Sequence, residues 1–583
     1  MIGNSGKKTI GLILENIYTD FAEEIFQNVL SGIRQHKNYN LVVISGQFDL
    51  TKDKDERHHK YLTTYNAIYQ LQKRCRFDGL IICLGSMTDP SREMVDRRFK
   101  TDIDIPIVFS VCEINGYTSV NYDNAQGIKE AVDCLINVHG FSRFCMMGGR
   151  ADNFDSLQRK DLYIQALRDG GVTFEERNYV PTEMSVNTQE EAKILLDRNP
   201  DVQAIFCVND SVAVGLYEEM ARRRLVPGKD IMVFGFDNTK MAGRMIPTLS
   251  SIGAGEATLG RKSLELLISM MNGERVESVK IPTCLYGRES FPYEMYEYTT
   301  MEMHNIDTDF IYRMFDDCFY RYRYEHISRE SVNLKRLFKE FISMILLGLK
   351  QQYMSVEDFH EAKDMIRIFF ENGAMDYTDA GKLVKSIMRL QASVNIAQSA
   401  NSAGSNVYIN RLFTYMRDCA IASQADYIVS SNSDLVAYRQ NLQDYMVDIT
   451  DFSGLGDADF EEIIGRFNKL GLKNSALFFF DNPVPFKEGD EDIFPEYIRL
   501  CAVTKEGELY VLPKERRAGR LGEMYHRVEL PEKCKESATF PIFYRQNYYG
   551  FLVCQMDKSI TNTGEFIAGQ IGRAIYMAGE KMD

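Results

Sequence analysis

AIFCVND, residues 204–210, is an apolar run that stops abruptly at two polar residues. The same shape recurs along the first half of the chain: TIGLIL at 9–14, NLVVIS at 40–45, GLIICL at 79–84, PIVFS at 106–110, FCMM at 144–147 and IMVF at 231–234. These runs are nearly continuous in apolar residues instead of alternating, as strands of a parallel sheet are when both faces are covered. Helical patterns separate them. Between the first two, Ile25, Phe26, Val29, Leu30 and Ile33 fall on one helical face. Alternation of this kind implies right-handed βαβ units and a doubly wound α/β fold. Such sheets bind ligands beyond the carboxyl ends of their strands.

The chain has 583 residues, more than one hydrophobic core supports, so about three domains are expected. A net charge of −15 argues against a broad nucleic-acid-binding surface. The basic runs Arg222, Arg223, Arg224 and Arg516, Arg517 read as solvated faces. The 12 cysteines include no C-x-x-C pair, and several lie inside apolar runs, as Cys83 and Cys207 do; this suits buried free thiols in a reducing compartment. No signal-peptide segment precedes the first strand and no apolar run of about 18 residues occurs, so a cytoplasmic protein away from membranes is expected.

Ordered strings then carry a family resemblance. Gly11 to Leu14 leads through Phe21 to Ile25. DGLI follows at 78–81, then VNYDN at 120–124 with Gly127 and Ala131, and the strand from Phe144 that ends in Gly148 and Gly149. Arg159 stands four residues before Tyr163. AIFCVND at 204–210 and GFDN at 235–238 come next, then Leu249 to Ile252 with Leu259 and Gly260, and a closing strand with Leu285, Arg288 and Ser290. In this order, residues 7–292 resemble the effector-binding domain of LacI/GalR-type repressors, itself related to type I periplasmic binding proteins. The resemblance implies two lobes joined by three crossovers. It also implies a small-molecule effector, a sugar or related metabolite, held between the lobes. Phe21 would stack on that ligand, while Asp123, Arg159, Asn209 and Asp237 would hydrogen-bond it. The chemistry suits a polyhydroxylated ligand, because carboxylates accept from vicinal hydroxyls and a guanidinium donates a planar fork. Each position also has a structural reading: Asp123 and Asn124 as helix caps, Asp210 and Asp237 as strand-end turn residues, Arg159 as a solvated helix face. One departure is visible. Val111 and Cys112 stand where the family often carries an acid–arginine pair, which puts its usual sugars in doubt.

Repressors of this type place a helix-turn-helix ahead of the domain. With the first strand at residue 9, such a module has no room here. Output beyond the C-terminus, or through the chain's own C-terminal part, is expected instead, with DNA touched only indirectly. By family analogy a homodimer is expected.

From 306 to 445 the pattern turns helical. Leu334, Leu337, Phe338, Phe341, Ile342, Ile345, Leu346 and Leu349 form one stripe. The string FYRYRY at 319–324 suggests base stacking or, better given its acidic neighbours, a packed helix surface. Residues 393–406 are small and polar, a linker or a weakly packed helix. From 446 a helix at 459–470 precedes strands at 475–480, 500–504 and 508–512, a hairpin of 539–544 with 550–555, and a final helix bearing Phe566, Ile567, Ile571 and Ile575. This α+β pattern resembles a GAF-type sensor domain, with PIFYRQNYYGFLVCQ at 541–555 as its best string.

No H-E-x-x-H, G-x-S-x-G or strand-borne G-x-G-x-x-G occurs, and His58 with His59 reads as a solvated loop, so neither enzymatic activity nor a cofactor or metal is expected. Three readings follow: a cytoplasmic ligand-sensing regulator, the sensory part of a diguanylate cyclase-type protein, and a solute-binding protein for transport.

Overall fold

The strands form where the apolar runs are because both of their faces are covered. In a computed structural model of the chain, β1 (Lys8–Leu14), β2 (Tyr39–Ser45), β3 (Gly79–Cys83), β4 (Ile107–Ser110) and β5 (Thr118–Asp123) make a parallel sheet in the order β2-β1-β3-β4-β5. The structure describes residues 7–17, 19–36, 38–46, 56–83, 105–151, 153–254, 258–291, 307–319, 322, 333–351, 353–378, 380–400, 407–449, 457–465, 467–527, 535–556 and 564–580. Two compact units result, one of residues 1–239, 251–286 and 437–583, the other of 240–250 and 287–436.

In the first unit, α1 (Asp20–Gln35) starts at Thr19, whose hydroxyl accepts from the Ala22 amide. Its buried Ile25, Phe26, Val29, Leu30 and Ile33 realise the apolar face read from the sequence. A second helix, α2 (Glu56–Asn66), carries the exposed His58 and His59, which therefore sit on a helix and not in a loop. After β5 the chain crosses to a second lobe through α3 (Asn124–Asp133). That lobe contains β6 (Phe144–Met147), α4 (Phe154–Asp169), β7 (Tyr179–Val180), α5 (Gln189–Arg198), β8 (Ala204–Cys207), α6 (Asp210–Arg222), β9 (Met232–Phe236) and β10 (Ser250–Ala254). Its strand order is β7-β6-β8-β9-β10. The chain returns through α7 (Leu259–Met271), packed on α1, into β11 (Val279–Tyr286). That strand serves both lobes: Val279 to Pro282 lie parallel to β5, and Thr283 to Tyr286 antiparallel to β10. The lobes are thus joined at three crossovers, after β5, after β10 and within β11.

The second unit is built from α8 (Thr308–Cys318), α9 (Leu334–Gln351), α10 (Val356–Glu371), α11 (Ala380–Ala400) and the first part of α12 (Val407–Asp448). Its core contains Phe338, Phe341, Ile342, Ile345 and Leu346 of the predicted stripe, with Leu337 and Leu349 half-buried against it. Phe319 and Tyr322 of the FYRYRY string are core residues there, while 320, 321, 323 and 324 lie outside the described residues. Of the small polar stretch, residues 393–400 are helical and 401–406 lie outside the described residues.

The C-terminal residues return to the first unit with α13 (Asp457–Gly465), β12 (Ser475–Pro485), β13 (Tyr497–Lys505), β14 (Glu508–Val511), β15 (Ala518–Arg520), β16 (Glu536–Tyr544), β17 (Asn547–Gln555) and α14 (Gly564–Glu580). The strands are antiparallel in the order β16-β17-β12-β13, with β14 and β15 both on β13. A two-residue turn, Arg545 and Gln546, closes the hairpin, with Arg545 at φ 54°. Arg517 departs from the expected solvated face. It is buried, its Nε donates to the Leu512 carbonyl at 2.7 Å and its guanidinium lies 5.3 Å from the Phe460 ring centroid.

This antiparallel sheet does not stand apart from the first lobe. β16 lies parallel to β2, Glu536 opposite Leu41 through to Thr539 opposite Ile44, so one sheet runs from β11 through β2 and β16 to β13. Lys535 Nζ donates to the carbonyls of Ile33, Arg34 and His36, where α1 ends and its dipole favours a cation. Glu536, with its side chain 2% exposed, pairs with Arg34 at 2.7 Å. The Tyr548 hydroxyl donates to the Thr64 carbonyl in α2. Beneath these polar ties is one apolar core. Ile13, Val42, Ile44, Ile68, Leu71, Phe77, Leu80 and Phe109 share it with Phe478, Phe480, Phe494, Phe543, Tyr548 and Phe551.

Candidate functional site

Strand polarity decides where chemistry collects. The parallel strands of both lobes bring together Asp123 at the end of β5, Asn209 after β8 and Asp237 after β9, and the first turns of α3 and α4 meet at that level. Arg159, one turn into α4, is central to the polar network. Its Nη2 donates to Asp237 Oδ1 at 3.1 Å, Nη1 to the Val208 carbonyl at 2.8 Å and Nε to Asn124 Oδ1 at 3.3 Å. The guanidinium carbon lies 3.6 Å from the Phe236 ring centroid, a cation–π contact. With its side chain 4% exposed, Arg159 is no solvated helix face. Asn124, at the start of α3, donates in turn to Asp155 Oδ1 at 3.2 Å and to Gln158 Oε1 at 2.6 Å. Tyr122 of β5 and Phe236 of β9 bring the lobes together with ring centroids 6.0 Å apart.

The electrostatics follow from this packing. Burial lifts the Asp237 carboxyl above its ordinary range, a rise that neighbouring Asp155 adds to and Arg159 opposes. Burial likewise lifts Asp155, against the pull of Arg159 and the Asn124 hydrogen bond. The Arg159 charge is therefore already partnered by the Asp237 carboxylate and two further protein acceptors.

The five residues singled out from the sequence fare differently. Arg159 and Asp237 are brought into direct contact. Asp123 Oδ1 accepts from the Ala125 amide at 3.1 Å, the helix-cap geometry. Asn209 caps α6, accepting from the Val212 amide at 3.0 Å and donating to the Met184 carbonyl at 3.3 Å. Phe21, in the first turn of α1, is half-buried and lies outside the hydrogen-bonded network. Asn124, Asp155 and Gln158 belong to the network and were missed. Spacing was a signal for Asp155 alone, which stands four residues before Arg159 and so on its helical face; Gln158, one residue before it, carried none. At the departure noted in the sequence, Val111 takes φ 70°, a conformation that costs a β-branched residue, and Cys112 is buried.

Residues 132–291 match the family model of a periplasmic binding protein-like domain. The chain is 26% identical over 294 residues to catabolite control protein A of Priestia megaterium, an alignment covering 49% of this chain and 83% of that protein. It is 27% identical over 263 residues to the ribose operon repressor of Escherichia coli, covering 45% and 74%. Among solved structures, a periplasmic binding protein/LacI transcriptional regulator from Alkaliphilus metalliredigens complexed with D-xylulofuranose aligns at 21% identity and a TM-score of 0.40, over 49% of this chain and 100% of that one. Among the described residues, no helix is long and apolar enough to cross a membrane.

Proposed function

We propose that this chain is a LacI-type ligand-sensing regulator. Its two-lobed domain takes a sugar-like or nucleoside-like metabolite between the lobes, and its C-terminal GAF-like domain takes part in passing the signal to a transcriptional or second-messenger output. The observation that carries the reading is the Arg159–Asp237 pair, set among strand carboxyl ends beside the Tyr122–Phe236 contact between the lobes. Related regulators named for catabolite control and for ribose support a sugar or a derivative as the effector. Because Arg159 already donates to three protein acceptors, a neutral hydroxylated ligand fits better than an anion that needs the guanidinium fork. The way β16 and Lys535 are built onto the first lobe supports a signalling role over transport, where such an addition has no use. The proposed protein is a cytoplasmic homodimer without catalytic activity, reaching DNA only through another module.

Thermal unfolding of the full chain against aldopentoses, disaccharides and nucleosides tests this. A ligand at about 100 times its Kd should add roughly 2.7 kcal/mol of stability. Asp237→Asn and Arg159→Met should each remove that shift. No shift across the panel, or one that survives both substitutions, would reject the site.

A further inference from the structure

The turn that presents Asp237 is strained. Asp237 has φ 93° and Asn238 φ 50°, two consecutive residues with side chains in territory that favours glycine. Such backbone persists only where its surroundings over-determine it. Here they do so from one buried point. Asp210, fully buried at the start of α6, accepts at Oδ2 from the Thr239 amide at 2.7 Å and the Thr239 hydroxyl at 3.0 Å, and at Oδ1 from the Ser251 hydroxyl at 2.6 Å. Ser251 Oγ in turn accepts from the Asn238 amide at 2.9 Å, and the Asp237 amide donates to the Ile252 carbonyl at 2.8 Å. The turn lies close against β10 only because residue 253 is glycine: a Cβ there would stand 2.5 Å from Asn238 Cβ.

We infer that Asp210 is a positioning residue for the ligand site. Its carboxylate locks the 237–239 turn in the strained conformation that aims Asp237 at Arg159, and so fixes the guanidinium's orientation and keeps it closed off until ligand arrives. Asp210 does this without touching Arg159. A buried carboxylate suits the task because its two oxygens accept three hydrogen bonds at once, each strengthened by the full charge. Asparagine can keep most of the arrangement: its oxygen serves the two Thr239 donors, while its amide donates to Ser251 Oγ, whose own proton turns to the Ile252 carbonyl, now 3.4 Å away. Alanine can keep none of it.

The test needs no ligand. The full chain and its Asp210→Ala, Asp210→Asn, Gly253→Ala and Asp237→Ala variants are treated with phenylglyoxal, and Arg159 modification is followed by peptide mass spectrometry alongside amide exchange of 237–239. In Asp210→Ala, Arg159 should label roughly tenfold faster than in the native chain, the factor that losing about one charge-assisted hydrogen bond gives, and close to the rate in Asp237→Ala. Asp210→Asn should stay near the native rate. Gly253→Ala, which pushes on the same turn from the other side, should also speed labelling and serves if Asp210→Ala does not fold. Faster exchange at 237–239 with Arg159 still protected would overturn the inference, leaving Asp210 as a local backbone staple. So would equal labelling of the Asn and Ala variants. Because the readout is the Arg159 side chain itself, failure here is distinct from failure of the ligand screen.

Discussion

A chain cut after residue 292 is expected to be insoluble, although the sequence alone suggests that the two-lobed domain ends there. The cut removes β16, one of the two partners of β2, and one wall of the core that Val42, Ile44, Ile68, Leu71, Phe77 and Leu80 share with the C-terminal phenylalanines. Each large apolar side chain returned to water costs about 1.5–3 kcal/mol, so a handful of them equals the whole stability of an ordinary domain. β2 would also become an open apolar edge, a template for pairing between chains. Fractionating cells that express residues 1–292, alone and together with residues 457–583, measures this. Aggregation alone and recovery of soluble, co-purifying fragments together is the expected result. A monodisperse 1–292 fragment with a cooperative melt would show that the junction is an accessory contact.

The second large effect is an asymmetry at the ligand site. Asp237→Ala should destabilise the protein by about 3–5 kcal/mol, because it leaves a buried guanidinium without its carboxylate. Arg159→Met should cost less at low pH and progressively more as pH rises. Burial already lifts the Asp237 carboxyl, and losing Arg159 takes away the charge that opposed the rise. An acid whose folded value lies above its unfolded value contributes most below the unfolded value, and that contribution is lost as pH rises through the folded one. The gap in melting midpoint between Arg159→Met and the native chain should therefore narrow as the buffer is taken from about pH 8 to about pH 5, while the Asp237→Ala gap should not. Thermal melts across that range decide it, and a gap independent of pH in both variants would mean that the carboxylate is hydrated and the pair unimportant.

Legibility in the sequence tracks burial. β1 to β4, β6, β8 and β9 were readable because strands covered on both faces are written almost entirely in apolar residues. β11, VKIPTCLY, is half-exposed, contains a proline and changes lobe midway, so its composition says little about its pairing. Arg159 and Asp237 stood out through ordered motifs, whereas Asp210, Asn124 and Asp155 carry residue types equally suited to caps and turns, and only the fold distinguishes them. The junction of β2 with β16 was invisible for a different reason. An apolar strand announces that it is covered, never by what, and the residues that secure the junction, Lys535 and Glu536, read as part of a polar loop.

That junction also sets a clock on synthesis. Arg34 and Glu536 are 502 residues apart, and at roughly 5–20 residues per second the ribosome leaves the first lobe without its neighbour for about 25 to 100 seconds. For that interval β2 is a nascent edge with an apolar flank. Holding it apart from other chains is a task for chaperones that the finished molecule no longer needs.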